Sequence, residues 1–400
     1  MRFAERVDRL SGDGPAAWAI HSEAVRARAR GEDVIVMSVG DPDFATPDRV
    51  TEAGVRALRQ GDTHYTEIKG RPALRSAIAA ETMRNGGPQV TADNVIVMAG
   101  AQNALFAAAM CLFSPGDEVI ALDPMYVTYE ATVAAAGAKL VRVPARADGT
   151  FRPDLAALEA AVTPRSRAIL IATPNNPSGV ALDQAEIEAI AEVARRHDLW
   201  VVSDEVYAEL IFDGGHRSIA ALPGMAGRTA TVSSLSKSQA MTGWRAGWLV
   251  GPTELVSHVE NLSLCMLYGS PGFVQEAAVM ALTEARDEMG RMREIYRRRR
   301  DLVLEGLTGV PGIRTVAPQA GMFLLLDVRE TGMSALDFAW ALYRETGVSV
   351  LDGAAFGTST SGHVRLSYTL GEDRLREGCA RIRSFAESLG HNAATRTAGA

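Results

Sequence analysis

Short apolar runs and amphipathic stretches alternate along most of the chain. Val95–Ala99 (VIVMA), Glu118–Leu122, Lys139–Val143, Ala168–Ala172, Trp200–Ser203, Thr229–Ser233 and Ala246–Val250 have strand length and are rich in Val, Ile and Leu. Segments of helical pattern, among them Gln102–Phe113 and Gln184–Arg196, lie between many of them. Apolar strands separated by helices predict an α/β fold with a mostly parallel sheet covered on both faces. Such sheets bind ligands beyond the carboxyl ends of their strands, which makes the residues just after each run the candidates for chemistry.

Past about Thr283 the pattern changes. A long charged helix runs through MREIYRRRRDLVLEGL, followed by an apolar run at Met322–Val328, a helix near Ala335–Glu345, further runs at Val348–Leu351 and Val364–Ser367, and a last helix from Glu372. This reads as a smaller α+β domain, with the segment before Phe44 packed against it. The expected boundaries are 1–44 for that N-terminal segment, 45–285 for the large domain and 286–390 for the small one, with 391–400 a frayed tail. The four consecutive arginines Arg297–Arg300 read as a solvated helix face balanced by Glu294, Asp301 and Glu305, in preference to a phosphate or nucleic-acid patch.

Composition narrows the class. The 400 residues suffice for two or three domains, and 41 basic against 48 acidic residues give a net charge of −7. With 22% charged and 47% hydrophobic residues, the chain is neither disordered nor marked by the basic excess of a nucleic-acid binder. Ala104–Phe113, the longest apolar run, is far short of a membrane span, and MRFAERVDRL carries charges where a signal peptide needs an apolar stretch. Cys111, Cys265 and Cys379 are odd in number and have no His at ligand spacing. No disulfide framework or metal site is expected, only three buried thiols in a reducing cytoplasm.

The richest candidate site is Ser233–Gly247, SSLSKSQAMTGWRAG, which follows an apolar run. It places Lys237 among the hydroxyls of Ser233, Ser234, Ser236 and Ser238, with Arg245 eight residues on. Desolvation and a neighbouring cation both lower a lysine pKa, and a neutral amine attacks carbonyls to form a Schiff base. Hydroxyls with a guanidinium suit a phosphate dianion. An aldehyde and a phosphate on one cofactor point to pyridoxal phosphate. Asp204, at the end of the run in WVVSDEVY, suits a protonated pyridine nitrogen, and Tyr207 lies within reach of the same ring. In ATPNNPSGV the residues form a rigid turn, from which Asn176 can donate its amide to a ring oxygen. Gly100, Ala101 and Gln102 sit where a strand meets a helix N-terminus, a place suited to phosphate, and Tyr126 in DPMYVTY offers an aromatic face.

The set GDPDF (Gly40–Phe44), HY (His64–Tyr65), NNPSG, SDEVY, SLSK with Arg245, and RLS (Arg365–Ser367) resembles the class I aminotransferases, subgroup Iγ, across residues 5–388. The resemblance implies a fold type I enzyme with a seven-stranded large domain, and a homodimer whose active sites lie at the subunit interface. It implies that Lys237 is the Schiff-base lysine and proton carrier, that Asp204 pairs with the ring nitrogen, that Asn176 and Tyr207 bond the ring oxygen, and that Tyr126 stacks. It also implies that Ala101, Gln102, Ser234, Ser236 and Arg245 hold the phosphate, with Tyr65 of the neighbouring subunit. Arg365 then binds the substrate carboxylate with the Gly40 backbone and Asn176.

GDGPAAWAIH, HYTEIKG, AGAQNALF and ENLSLCMLYGSP resemble the branch of the subgroup that transaminates arginine with pyruvate. This implies a basic amino donor and a keto-acid acceptor. On this reading Glu67 meets the cationic end of the substrate across the interface, Asp13 or Trp18 adds charge or an aromatic face, and Tyr268 and Ser270 line the same pocket. A surface pair of Glu67 with Lys69 or an arginine is the plain alternative. An aspartate, aromatic or broad-specificity transaminase, or a lyase sharing Lys237 and Asp204, is the alternative activity.

Overall fold

The computed structural model describes residues 1–4, 6–10 and 18–397, with side chains as far as Leu389. Seven strands form the central sheet: β2 (Val95–Ala99), β3 (Glu118–Leu122), β4 (Lys139–Val143), β5 (Ser166–Ala172), β6 (Trp200–Asp204), β7 (Thr229–Ser234) and β8 (Ala246–Val250). They lie in the order β2-β8-β7-β6-β5-β3-β4, and only β8 runs against the rest. The expected α/β class and mostly parallel sheet are found. In β5, Ile169 and Ile171 face one core with Ile187 and Ile190, whereas Ala168 and Leu170 face the other with Leu105 and Val119. Both faces of the pleat are covered, which is why the runs are apolar throughout.

Helices on the two faces begin in different ways. Asp183 accepts from the Glu186 amide while Glu186 reaches back to the Asp183 amide, a reciprocal cap on the helix Gln184–Arg196. The helix Ala101–Leu112 starts instead at Gly100, whose φ of +85° sends the chain sharply from β2 into the helix.

A second layer combines the two ends of the chain. β9 (Arg314–Thr315), β10 (Phe323–Asp327), β12 (Leu351–Asp352) and β13 (His363–Ser367) form an antiparallel sheet in the order β12-β13-β10-β9. β1 (Ile35–Val36) pairs in parallel with β11 (Val348–Ser349). Ile20, Ile35 and Met37 share one core with Phe338, Leu342, Leu366 and Ile382, so the N-terminal segment packs on the C-terminal elements.

Several expectations need correction. Val348–Leu351, read as one run, divides between two sheets, because Val350 separates β11 from β12. The last helix continues from Glu372 to Thr397, so residues 391–397, expected as a frayed tail, are helical; residues 398–400 lie outside the described ones. The Arg297–Arg300 run is not a uniformly solvated face: on the helix Arg286–Leu307, Arg299 is 5% exposed and Arg300 8%. Of the three thiols only Cys379 is buried; Cys111 is half-buried and Cys265 exposed. Among the described residues no helix is long and apolar enough to cross a membrane, and no cluster could hold a metal ion.

Candidate active site

Because β2, β3, β5, β6 and β7 run the same way, their carboxyl ends share one edge of the sheet, and a cavity of about 450 Å³ opens there. Its lining includes Trp18, Gly40, Ala101, Gln102, Tyr126, Asn176, Asp204, Tyr207, Ser234, Ser236, Lys237, Arg245 and Arg365, all named from the sequence.

Lys237 sits in the turn after β7. Its Nζ donates to the Gly40 carbonyl at 2.6 Å. Burial lowers its pKa to about 8; Asp41 opposes that shift, and Arg365 and Arg245 add to it. Both causes expected from the sequence therefore act, with desolvation the larger. Asp204 ends β6 in the wall of the cavity, where burial raises its pKa to about 6. Oδ2 accepts from the Tyr129 hydroxyl at 2.7 Å and Oδ1 from the Val206 amide at 3.2 Å, and these two donors hold the carboxylate in one orientation. Tyr126 packs edge-on to Tyr129, and burial also pushes the Tyr207 hydroxyl upward.

The paired asparagines divide their work. Asn175 builds the turn, donating to the Pro124 carbonyl at 2.8 Å and accepting from the Ser178 hydroxyl at 2.8 Å. Asn176 enters the cavity beside the Tyr207 hydroxyl, and its Oδ1 accepts from Arg365 Nη1 at 2.9 Å. Arg365, on β13, is 1% exposed and lies between two rings, 4.1 Å from the centroid of Phe323 and 4.5 Å from that of Phe356. Nη2 donates to the Ser38 carbonyl at 2.9 Å, while the buried Nε has no partner. Burial lowers its pKa to about 10, which leaves it charged at neutral pH.

Around the start of the helix Ala101–Leu112 the chain forms a cradle. A Cβ on Gly100 would lie 2.4 Å from Arg245 Nη2, and one on Gly247 would lie 2.7 Å from the Ala101 amide nitrogen. Glycine at both positions lets β8 and the Arg245 guanidinium close on the helix N-terminus. Arg245 itself has φ of +57° and donates to the carbonyls of Thr242 (2.9 Å) and Ala99 (3.2 Å). The free amides of the first helical turn, the Ser234 and Ser236 hydroxyls and this cation make an anion site of phosphate size. The Gln102 side chain is engaged elsewhere, accepting from Thr128 at 2.8 Å and donating to Thr132 at 3.0 Å, which leaves its backbone amide as the group it can offer to an anion.

Not every sequence candidate comes to the cavity. Ser233 turns away to donate to the Glu205 carbonyl, and with Ser238 it lines a separate void of about 20 Å³. Tyr65 and Glu67 are exposed on a loop; Tyr65 is 86% exposed and packs 4.9 Å from Tyr268, itself 50% exposed. Thr66 donates to the carbonyl of the buried Ser270 at 2.9 Å, and neither Tyr268, in the exposed patch, nor Ser270, beneath it, lines the cavity. Lys69 pairs with Glu260 at 3.4 Å, and among the described residues Glu67 has no ion pair. Asp13 lies outside the described residues. Conversely, Asp41, Thr128, Tyr129 and Phe323 line the cavity without having been singled out, although GDPDF and DPMYVTY contain the first three.

A desolvated amine, an acid at a strand end, an anion cradle and a buried guanidinium with an unpartnered Nε fit pyridoxal phosphate together with an amino acid. The comparison with known proteins agrees: the aminotransferase class I and II family matches residues 32–382, and the chain belongs to it. The enzymes of this class use pyridoxal 5′-phosphate and act on amino acids and keto acids. Among individual relatives, the arginine–pyruvate transaminase AruH of Pseudomonas aeruginosa is 53% identical over 97% of this chain and 99% of its own. The aspartate/prephenate aminotransferase of Thermus thermophilus is 38% identical over 94% of this chain and 96% of its own. The solved structure of Thermus thermophilus aspartate aminotransferase with maleate superposes with a TM-score of 0.90 at 37% identity, covering 96% of this chain and all of that one.

Proposed function

We propose that the enzyme transfers the α-amino group of L-arginine, or of another basic amino acid, to a keto acid such as pyruvate in a ping-pong cycle. The observation that carries this reading is the presence, in one cavity, of the desolvated Lys237 amine and the buried Arg365 guanidinium with its open Nε. The identity shared with the arginine–pyruvate transaminase supports the choice of donor.

When bound, pyridoxal phosphate supplies an aldehyde that bonds an amine and a ring that takes up the electron pair of a broken Cα–H bond. Lys237 would anchor that aldehyde and, once released, carry the proton from the substrate Cα. A pKa of about 8 leaves a useful neutral share of its amine near neutral pH. The Asp204 carboxylate would face the ring nitrogen, Asn176 and Tyr207 the ring oxygen, and Tyr126 the ring face. Ala101, Gln102, Ser234, Ser236 and Arg245 would hold the phosphate. Arg365, supported by Asn176 and the Gly40 backbone, would fork onto the α-carboxylate and fix Cα, a contribution of positioning. Trp18 would close the cavity against water.

The exposed Tyr65–Tyr268 patch supports a homodimer in which Tyr65 reaches the neighbour's phosphate and Glu67 the cationic end of the neighbour's substrate. The shared core of the chain's two ends supports division into an N-terminal segment (1–44), a large domain (45–285) and a small domain (286–390). Three free thiols support a cytoplasmic location.

A panel of amino donors, tested with the pyridoxal phosphate-loaded protein and pyruvate while following loss of each donor, checks the reading. Arginine and lysine should be consumed faster than aspartate. Preference for aspartate or aromatic donors replaces the substrate assignment, and ammonia release without any keto acid makes the enzyme a lyase.

A further inference from the structure

The arginine run on the helix Arg286–Leu307 has two members for which a solvated face gives no account. Arg299 Nη1 and Nη2 donate to the two oxygens of Asp43 at 2.6 and 2.9 Å. Its guanidinium also lies 4.8 Å from the Phe44 centroid and 5.7 Å from that of Tyr296. A buried, stacked and bidentate arginine is a costly arrangement to maintain on a helix where Arg297 and Arg298, in the same run, pair in solvent. What it grips is the segment that forms one wall of the cavity.

That segment is tied down residue by residue. The Met37 carbonyl accepts from the Ser367 amide at 2.7 Å, Ser38 from Arg365 at 2.9 Å, and Val39 from the Thr369 hydroxyl at 3.1 Å. Within Gly40–Phe44 two side-chain ties follow, Lys237 to the Gly40 carbonyl and Arg299 to Asp43, before Thr46 bonds to the Ala240 carbonyl and Trp244. The first of these is made by the amine that has to leave it. An amine bonded to the cofactor aldehyde, or carrying a proton to and from Cα, no longer donates as a free ammonium to Gly40. A wall holding Gly40 and Asp41 against the substrate therefore needs an anchor that the reaction does not disturb.

We propose that Arg299, through its bidentate grip on Asp43, is a positioning residue that keeps the Gly40–Phe44 wall in place while Lys237 is away from the Gly40 carbonyl. The proposal rests on the reading of the cavity as an amino-acid site, but its structural arm can be tested without any substrate. Arg299→Lys keeps the charge and loses the fork and the stacking; Asp43→Asn keeps the shape and loses the charge. Should either variant fail to fold, the other carries the test, and Arg298→Ala, on the exposed part of the run, is the control.

In the pyridoxal phosphate-loaded protein, each variant should raise amide hydrogen exchange at residues 39–44 about tenfold and leave residues 172–180 unchanged. With L-arginine and pyruvate, the donor KM should rise about tenfold while kcat falls less than threefold, and the double variant should be no worse than the worse single one. Unchanged exchange at residues 39–44 overturns the proposal. So does a lowered Tm with KM unchanged, since that marks a purely structural tie. If the wild-type protein transaminates no donor, the functional reading fails, and the exchange arm alone decides on Arg299.

Discussion

The cavity wall made by the strand ends and the exposed patch around Tyr65 differ in what they ask of the chain. At the wall, Asn176 and Arg365 are buried and Lys237 and Asp204 half-buried, and each is fixed by a partner within the chain. At the patch, Glu67 has no ion pair among the described residues and Tyr65 offers most of its ring to solvent. The first region is organised before any ligand arrives, with its groups already desolvated. The second gains value only when something else covers it. Under the proposed function, the chemistry common to the family would belong to the wall, and the choice of substrate side chain in part to the patch.

The hardest test of the comparison is removal of the amine. Lys237→Ala should lower kcat by more than about 10⁴-fold with pyridoxal phosphate present, and the loss of covalent cofactor after borohydride treatment checks the cause. Next comes Arg365→Lys, which keeps a charge but not the fork; kcat/KM should fall about 100-fold for every donor alike. A smaller effect lies in pH. With a pKa of about 8, the Lys237 amine is protonated below that value and neutral above it. Capture of pyridoxal phosphate by cofactor-free protein should therefore quicken about tenfold per pH unit on approaching pH 8 from below, then level off, as stopped-flow absorbance would record. Smallest is Glu67→Gln, which should raise the arginine KM about fivefold and leave alanine unaffected. An equal effect on both donors would erase the distinction between wall and patch.

Much of the wall was legible because β-strands that run one way deliver their next residues to one place, so Asn176, Asp204 and Ser234 follow from run ends alone. The seryl cluster was read too generously. Ser234 and Ser236 line the cavity while Ser233 points to the other side of its strand, an alternation that period-two geometry contains. Tyr129 was hidden because a hydroxyl bonded to Asp204 across 75 positions leaves no local trace. Arg299 and Arg300 were misread for a related reason. Four identical cations in a row occupy all sides of a helix, and only tertiary packing decides which two turn inward, Arg300 onto Asp213, the Pro318 carbonyl and the Phe212 ring. The split of Val348–Leu351 between two sheets was equally invisible, since each strand is two residues long and only Val350 separates them.

The single reversed strand of the large sheet has one more effect. Because β8 returns directly beside β7, the chain goes from Ser234 to Ala246 without leaving the ligand edge of the sheet. A parallel β8 would have required a crossover to the far end of the sheet before Arg245 could appear. The hairpin instead mounts the Lys237 amine and the Arg245 guanidinium on one short tether, so that an insertion or deletion in that loop would displace both groups in concert.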